Sequence, residues 1–186
     1  MLIGLAGKMG SGKDTIGEYL YNNYGFRQMS FAYKLKEIAN DLFKIDSSHK
    51  TPETRSILQQ IGTAMRCIDK DVWCNYLLDE IRFKMVTYKD PSFVITDVRF
   101  ENEALSVLNH KGMVICMDVD DNERRKRIET RDHKKLTDFE WNAMNAHESE
   151  TSYELIKKLP NVIVLDMNGS KNNNIEKIKK SIGITK

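Results

Sequence analysis

Apolar positions along the chain follow two rhythms. Short unbroken runs occur at Leu2 to Ala6, at Ser92 to Asp97 ("SFVITD"), in "MVICMDV" and in "NVIVLDM". Runs of this length without polar alternation predict strands buried on both faces. "FRQMSF" predicts a shorter strand just after Gly25. Between the runs, apolar residues recur at helical spacing. "DTIGEYLYNNYG" places Ile16, Tyr19 and Leu20 on one side and closes on Gly25 as a C-cap. "AYKLKEIANDLFK" aligns Leu35, Ile38, Ala39 and Leu42. The polar stretch "IDSSHKTPETR" predicts a loop in which Thr51 caps a helix beginning at Pro52. A helical pattern runs from Glu53 to Tyr88, broken near Asp69, and returns in "ENEALSVLNHKG" and "NNNIEKIKKSIG". The stretch "DNERRKRIETRDHKKLTDFEWNAMNAHESE" has no apolar stripe and predicts a mobile, polar segment.

Buried strands alternating with helices predict an α/β fold, a parallel five-stranded sheet flanked by helices on both faces. No repeat or linker divides the chain, so residues 1–186 are expected to form one domain. Ligands of such a sheet bind at the carboxyl ends of its strands. Two features lie there, the stretch "GKMGSGKDT" from Gly7 to Thr15 and the strand-end Asp97.

Composition narrows the picture by exclusion. A net charge of +2 and a pI near 8.3 give no strong basic field of the kind that marks nucleic-acid binders. The basic residues are scattered except for "RRKR" at Arg124 to Arg127. Three cysteines, Cys67, Cys74 and Cys116, are too few and wrongly spaced for a disulfide framework or a zinc site, and read as buried thiols. No apolar run has the length of a membrane span, and "MLIGLAGK" is not a signal peptide. A cytoplasmic protein is the expectation.

"GKMGSGKDT" nearly matches the phosphate-binding P-loop (Walker A) pattern G-x-x-x-x-G-K-S/T. Gly7, Gly10 and Gly12, with Ser11 between them, free backbone N–H groups to face phosphate oxygens, and the following helix adds its positive end. Lys13, expected to be exposed on the loop, would reach the terminal phosphates. Asp14 stands where the pattern has a hydroxyl, which arrives one residue later in Thr15. Either could ligate magnesium beside ATP, and Asp14 could instead cap the helix. "FVITDVRFENEA" resembles a Walker B strand, with Asp97 as a magnesium ligand and Arg99 leaving the same rim. "LQQIGTAMR" offers Gln59, Gln60, Thr63 and Arg66, the amides and cationic fork that suit a phosphorylated acceptor and its base. Arg124, Arg127 and Arg131 share a helix face and could close over ATP and the transferred phosphoryl group as a lid, about residues 121–150. Asn168 and Gly169 in "DMNGS" could wrap an adenine base. "DMNG" also fits the D-x-x-G of GTPases, but the chain has no N-K-x-D.

These stretches together resemble the deoxynucleoside monophosphate kinases encoded by tailed bacteriophages. "SGKDT", "FAYKLKE", "LQQIGTAMR…DVW", "ITDVRFENEA", "HESE" and the final "V…DMNGS" stand in that family's order over almost the whole chain. The resemblance implies a P-loop kinase fold, ATP and Mg2+ as donor, and a deoxynucleoside 5′-monophosphate (dNMP) as acceptor. It adds Lys34 and Trp73 to the acceptor set, in an arm of about residues 32–90. Catalysis would fall to Lys13, Arg99, Arg127 and Arg131. The partners implied are ATP and a dNMP, with no nucleic acid or membrane, and a homodimer is compatible with the sequence. The chain is shorter than the family's pattern between the second strand and "LQQIGT". Animal-type phosphomevalonate kinases are similar around "SGKD", so a kinase of another phosphorylated metabolite is an alternative, as is a nucleotide-dependent ATPase or switch. The role of "HESE" does not follow from the residues.

Overall fold

The computed structural model describes residues 1–47, 51–89 and 91–184. Ser48 to Lys50 of the expected polar loop, His49 among them, lie outside the described residues. In chain order the elements are β1 (Leu2–Ala6), α1 (Lys13–Tyr24), β2 (Arg27–Met29), α2 (Ala32–Phe43), α3 (Pro52–Ile68), α4 (Val72–Thr87), β3 (Phe93–Val98) and α5 (Glu101–Asn109). There follow β4 (Met113–Asp118), α6 (Asp121–Asp132), α7 (Asp138–Asn145), α8 (Glu148–Thr151), α9 (Tyr153–Ile156), β5 (Val162–Asp166) and α10 (Lys171–Ser181). The chain divides into two units, Met1–Gln28 with Ser92–Lys186, and Met29–Pro91.

The first unit is built on a sheet of order β2-β3-β1-β4-β5, with β1 parallel to β3 and β4, and β4 parallel to β5. Every residue of the central β1 is buried, as its apolar run requires. On one face Ile3, Leu5, Val94 and Ile115 pack with Ile16 and Leu20 of α1 and with Ile175 and Ile178 of α10. Burying a side chain of this size contributes about 1.5–3 kcal/mol. On the other face α5 lies against β1 and β4, and Val107 approaches Gly4 closely. Gly17 on α1 is required for a different contact. A Cβ there would stand 2.4 Å from Thr96 Cγ2, so only glycine lets α1 seat on β3. Gly25 ends α1 in the left-handed region (φ 68°), as its C-cap reading predicts.

The second unit contains α2, α3 and α4, which pack on one another. Thr51 Oγ1 accepts the Thr54 N–H and caps α3, and the chain breaks at Asp69 between α3 and α4. Two expectations fail here. Cys67 is exposed on α3, while Cys74 and Cys116 are buried. Cys67 lies in the last turn of α3, where the helix has left its packed face. Leu42, counted on the apolar side of α2, is exposed in that helix's last turn for the same reason.

No described helix is long and apolar enough to cross a membrane.

Candidate active site

Register places the site. Ala6 of β1 lies opposite Val98 of β3, so Gly7 and Arg99 leave the sheet along one rim. Gly10 and Gly12 adopt the left-handed region, φ 83° and 95°, and turn the loop back onto the start of α1. A Cβ on Gly10 would stand 2.8 Å from the carbonyl oxygen of Arg124. Lys13 is not exposed on the loop. It is 8% exposed, and its ammonium donates to the carbonyls of Gly7 (2.6 Å) and Lys8 (3.1 Å) and to Ser11 Oγ (3.3 Å). The loop wraps the lysine stem because its carbonyls need donors once the chain has turned. Burial, then the Arg99 charge, pull the Lys13 pKa down to about 8, against the carboxylates of Glu150, Asp14 and Asp97.

Asp14 is exposed, and Thr15 and Asp97 are half-buried. Among the described residues no group of three or more His, Cys, Asp or Glu could hold a metal by itself. A P-loop magnesium needs fewer protein ligands, since phosphate oxygens and water complete its shell. The oxygen donors of Asp14, Thr15 and Asp97 have the right chemistry for that ion.

Arg99 is held from three sides. Its backbone N–H donates to Glu103 Oε2 (2.7 Å), which also accepts the Phe100 N–H (3.1 Å). Its guanidinium Nη1 donates to Ser149 Oγ and to Glu150 Oε1, both at 3.1 Å. Glu103 is 6% exposed, and burial, then the Asp97 charge, push its pKa up to about 8. Glu150 is 3% exposed, and its Oε2 accepts the N–H of Met9 in the P-loop at 2.7 Å. These glutamates escaped the sequence reading. The signal for Glu150 was its place in "HESE"; Glu103 gave none, because an acidic residue in a first helical turn is ordinary.

The arginine face of α6 resolves into three different environments. Arg124, expected on ATP, is 1% exposed, with its ring of contacts inside the protein. It donates to the Met9 carbonyl (3.0 Å), to Asp121 Oδ1 and to Asn145 Oδ1 (both 2.6 Å), and stacks on Trp141. Together with the buried Ile128 it fills the place of the missing apolar stripe. Arg127 donates to the carbonyls of Met167 (3.0 Å), Gly169 (3.3 Å) and Ser11 (3.5 Å), tying the P-loop to the expected adenine loop. Asn168 Oδ1 accepts the Asp120 N–H at 3.1 Å. Arg131 forms a two-point pair with Asp132, and its charge lies within reach of Asp14. The polar stretch from α6 to α8 is thus helical, and both of its ends bond to Met9.

In the second unit Arg66 Nη2 approaches Thr63 Oγ1 at 3.4 Å, and the buried Trp73 points its Nε1 at the Gly62 carbonyl (3.5 Å). Gln59 and Gln60 are exposed, and Gln60 bonds Ser56. Lys34 pairs with Glu37 and lies over Tyr76. Thr63, Arg66 and Trp73 therefore gather around one turn of α3, while Lys34 sits on α2.

Comparison with known proteins gives this arrangement a family. A model of the AAA domain matches residues 3–152. A protein of Acanthamoeba polyphaga mimivirus, provisionally named a deoxynucleotide monophosphate kinase, is 31% identical in an alignment 142 positions long that covers 63% of this chain and 74% of the relative. The chain belongs to this family of P-loop proteins. Among solved structures, TT1252 from Thermus thermophilus aligns over 100% of this chain and 98% of its own, with a TM-score of 0.59 and 17% identity. Deoxyadenosine kinase from M. mycoides with bound dATP aligns over 98% and 100%, with a TM-score of 0.55 and 13% identity. Shikimate kinase from Acinetobacter baumannii aligns over 97% and 92%, with a TM-score of 0.54 and 14% identity. At these identities the structures establish the P-loop kinase fold. The chain is a kinase-type enzyme with a nucleotide-binding loop.

Proposed function

We propose that the chain transfers the γ-phosphoryl group of ATP to a deoxynucleoside 5′-monophosphate, giving ADP and a deoxynucleoside diphosphate. The observation that carries this reading is the pairing, on one rim, of a lysine wrapped by a glycine loop with an arginine aimed from the neighbouring strand. A transferring phosphoryl group needs charge neutralisation and alignment more than it needs a base. Lys13 neutralises the terminal phosphates, and the loop N–H groups orient them. Arg127 and Arg131 bring further positive charge from α6. Arg127 also keeps the loop around Asn168 and Gly169 in place for an adenine ring. Asp97 with Thr15 or Asp14 would hold Mg2+, which when bound offsets the phosphate charge. In the first unit Arg99 is assigned to the acceptor phosphate; in the second unit, taken by itself, Arg66 would bind a phosphate and Gln59, Gln60, Thr63, Lys34 and Trp73 would contact a sugar and base.

The test is an ADP-release screen across nucleoside monophosphates, with phosphomevalonate included. Transfer to at least one dNMP is expected. Arg66→Ala and Arg99→Ala should each lower kcat/KM for that acceptor by roughly 30- to 1000-fold, the loss of a two-point charged contact in a dry site worth about 2–4 kcal/mol. ATP affinity should stay within a few-fold. Turnover of phosphomevalonate alone, or ATP hydrolysis with no acceptor used, overturns the reading.

A further inference from the structure

We propose that Glu150 is a positioning residue for phosphoryl transfer, whose carboxylate locks Arg99 and the Met9 turn of the P-loop into one arrangement. The proposal rests on the transferase reading above. A carboxylate taken out of water is tolerated only where its oxygens find donors. Both oxygens of Glu150 do, and both donors belong to the phosphate-facing rim. Oε1 receives the Arg99 guanidinium at 3.1 Å, and Oε2 receives the Met9 N–H at 2.7 Å. The Met9 peptide is gripped from its other side as well, because its carbonyl accepts from Arg124 at 3.0 Å, and Arg124 stands 3.9 Å from Glu150. One loop residue is thus clasped between α6 and α8, and the same carboxylate carries the arginine assigned to the acceptor phosphate.

A second contact orients the same guanidinium. Ser149 Oγ accepts from Arg99 Nη1 at 3.1 Å and stands 2.9 Å from His147 Nδ1, which itself accepts the Ser149 N–H at 3.2 Å. The histidine fixes the serine hydroxyl, and the serine and Glu150 together present two acceptors to Arg99. This gives the "HESE" stretch a task at the site. Packing alone does not require the charge, since the adjoining α9 is anchored by the buried Tyr153 and Ile156.

Glu150 differs in kind from Glu103, its neighbour at the site. Glu103 receives both of its backbone donors on a single oxygen. An amide can replace such a group. Glu150 receives one donor on each oxygen, so the amide of Glu150→Gln must turn its NH2 toward either Arg99 or Met9 and lose that contact.

The experiment is a double-mutant cycle of Glu150→Gln, Arg99→Ala and the pair, with kcat and KM measured separately for ATP and for the accepted dNMP. A misplacement on the order of 1 Å at the reacting centre costs about 100-fold. Glu150→Gln should therefore lower kcat by about 100-fold, with the KM for ATP changed by less than about threefold. The double variant should be no slower than Arg99→Ala, because the two act as one unit. Multiplicative losses in the cycle, or an unchanged kcat in Glu150→Gln, overturn the proposal. If Glu150→Gln does not fold, Glu150→Asp carries the same cycle, keeping the charge but withdrawing it by one methylene. If the parent protein transfers to no dNMP, the reading of its function fails, and the cycle is then read on ATP hydrolysis. There, non-multiplicative losses support the clasp and multiplicative ones overturn it.

Discussion

Lys13 is the residue to which the proposed phosphoryl transfer assigns the terminal phosphates, and its burial has two consequences. A methionine fills the same volume as the lysine stem, so Lys13→Met should retain a cooperative unfolding transition. Phosphoryl transfer in that variant should fall to the assay background, because among the described residues no other ammonium is wrapped into the loop. The second consequence is a pH dependence. The free enzyme holds the Lys13 proton only up to about pH 8. kcat/KM for ATP, which reports the free enzyme, should fall as pH rises through that value. kcat should hold to higher pH, since bound triphosphate favours the ammonium. A kcat/KM that stays flat to pH 10 would contradict this. Gly10 is the other residue with a decided role. Its positive φ and the Arg124 carbonyl 2.8 Å from any Cβ make Gly10→Ala strained twice over. A loss of about 1–3 kcal/mol in urea unfolding is expected, read as a shift in midpoint at constant slope.

At the scale of elements, α5 carries a pH-sensitive contact at its first turn. Glu103 sits at its third position and caps the turn that follows Asp97 and Arg99. Its folded pKa is raised from 4.5 to about 8. Across that window the unfolded chain releases the proton and the folded chain keeps it. The stability this contributes is complete below the unfolded pKa and disappears as pH rises through about 8, with a slope of at most about 1.4 kcal/mol per pH unit. Glu103→Gln keeps the shared acceptor oxygen and removes the titration. Thermal unfolding without nucleotide or magnesium should show a smaller decline for Glu103→Gln than for the parent between pH 5 and 8, the window bounded by the usual carboxylate range and by the raised folded pKa. Equal slopes would place the titration elsewhere. The α6 helix shows the limit of periodicity at this scale. Its apolar stripe is absent because a buried arginine, whose two terminal nitrogens donate to a loop carbonyl, an aspartate and an amide, does the packing instead.

At the scale of the molecule, the P-loop and Arg99 belong to the sheet unit, and the other residues proposed for the acceptor belong to the helical unit. A bisubstrate analogue, adenosine joined to a deoxynucleoside through a phosphate chain, should raise Tm more than a non-hydrolysable ATP analogue at the same concentration, because its acceptor half lowers Kd. Ligands stabilise in proportion to what they bind in the folded state alone. Arg66→Ala should remove the extra increment and leave the increment from the ATP analogue. An unchanged response in Arg66→Ala would take Arg66 out of the acceptor site.

Much of this was legible in the order of residues. An apolar run ending in a glycine-rich turn and an amphipathic helix specifies strand, loop and helix through local sterics and burial, so β1, the P-loop and α1 follow directly. The same holds for Asp97 at the end of β3 and for the family landmarks, which keep their order along the chain. Partners distant in sequence were decided only by folding. Nothing local announces that Glu150 meets Met9 or that Arg124 turns inward onto the same peptide. Hydrophobic periodicity reports which face of an element is buried, and it is silent on which polar groups find each other once burial removes water as a partner. That pairing depends on strand register and helix docking, and it is there that the tertiary structure turned a phosphate-binding loop into a site with a fixed orientation.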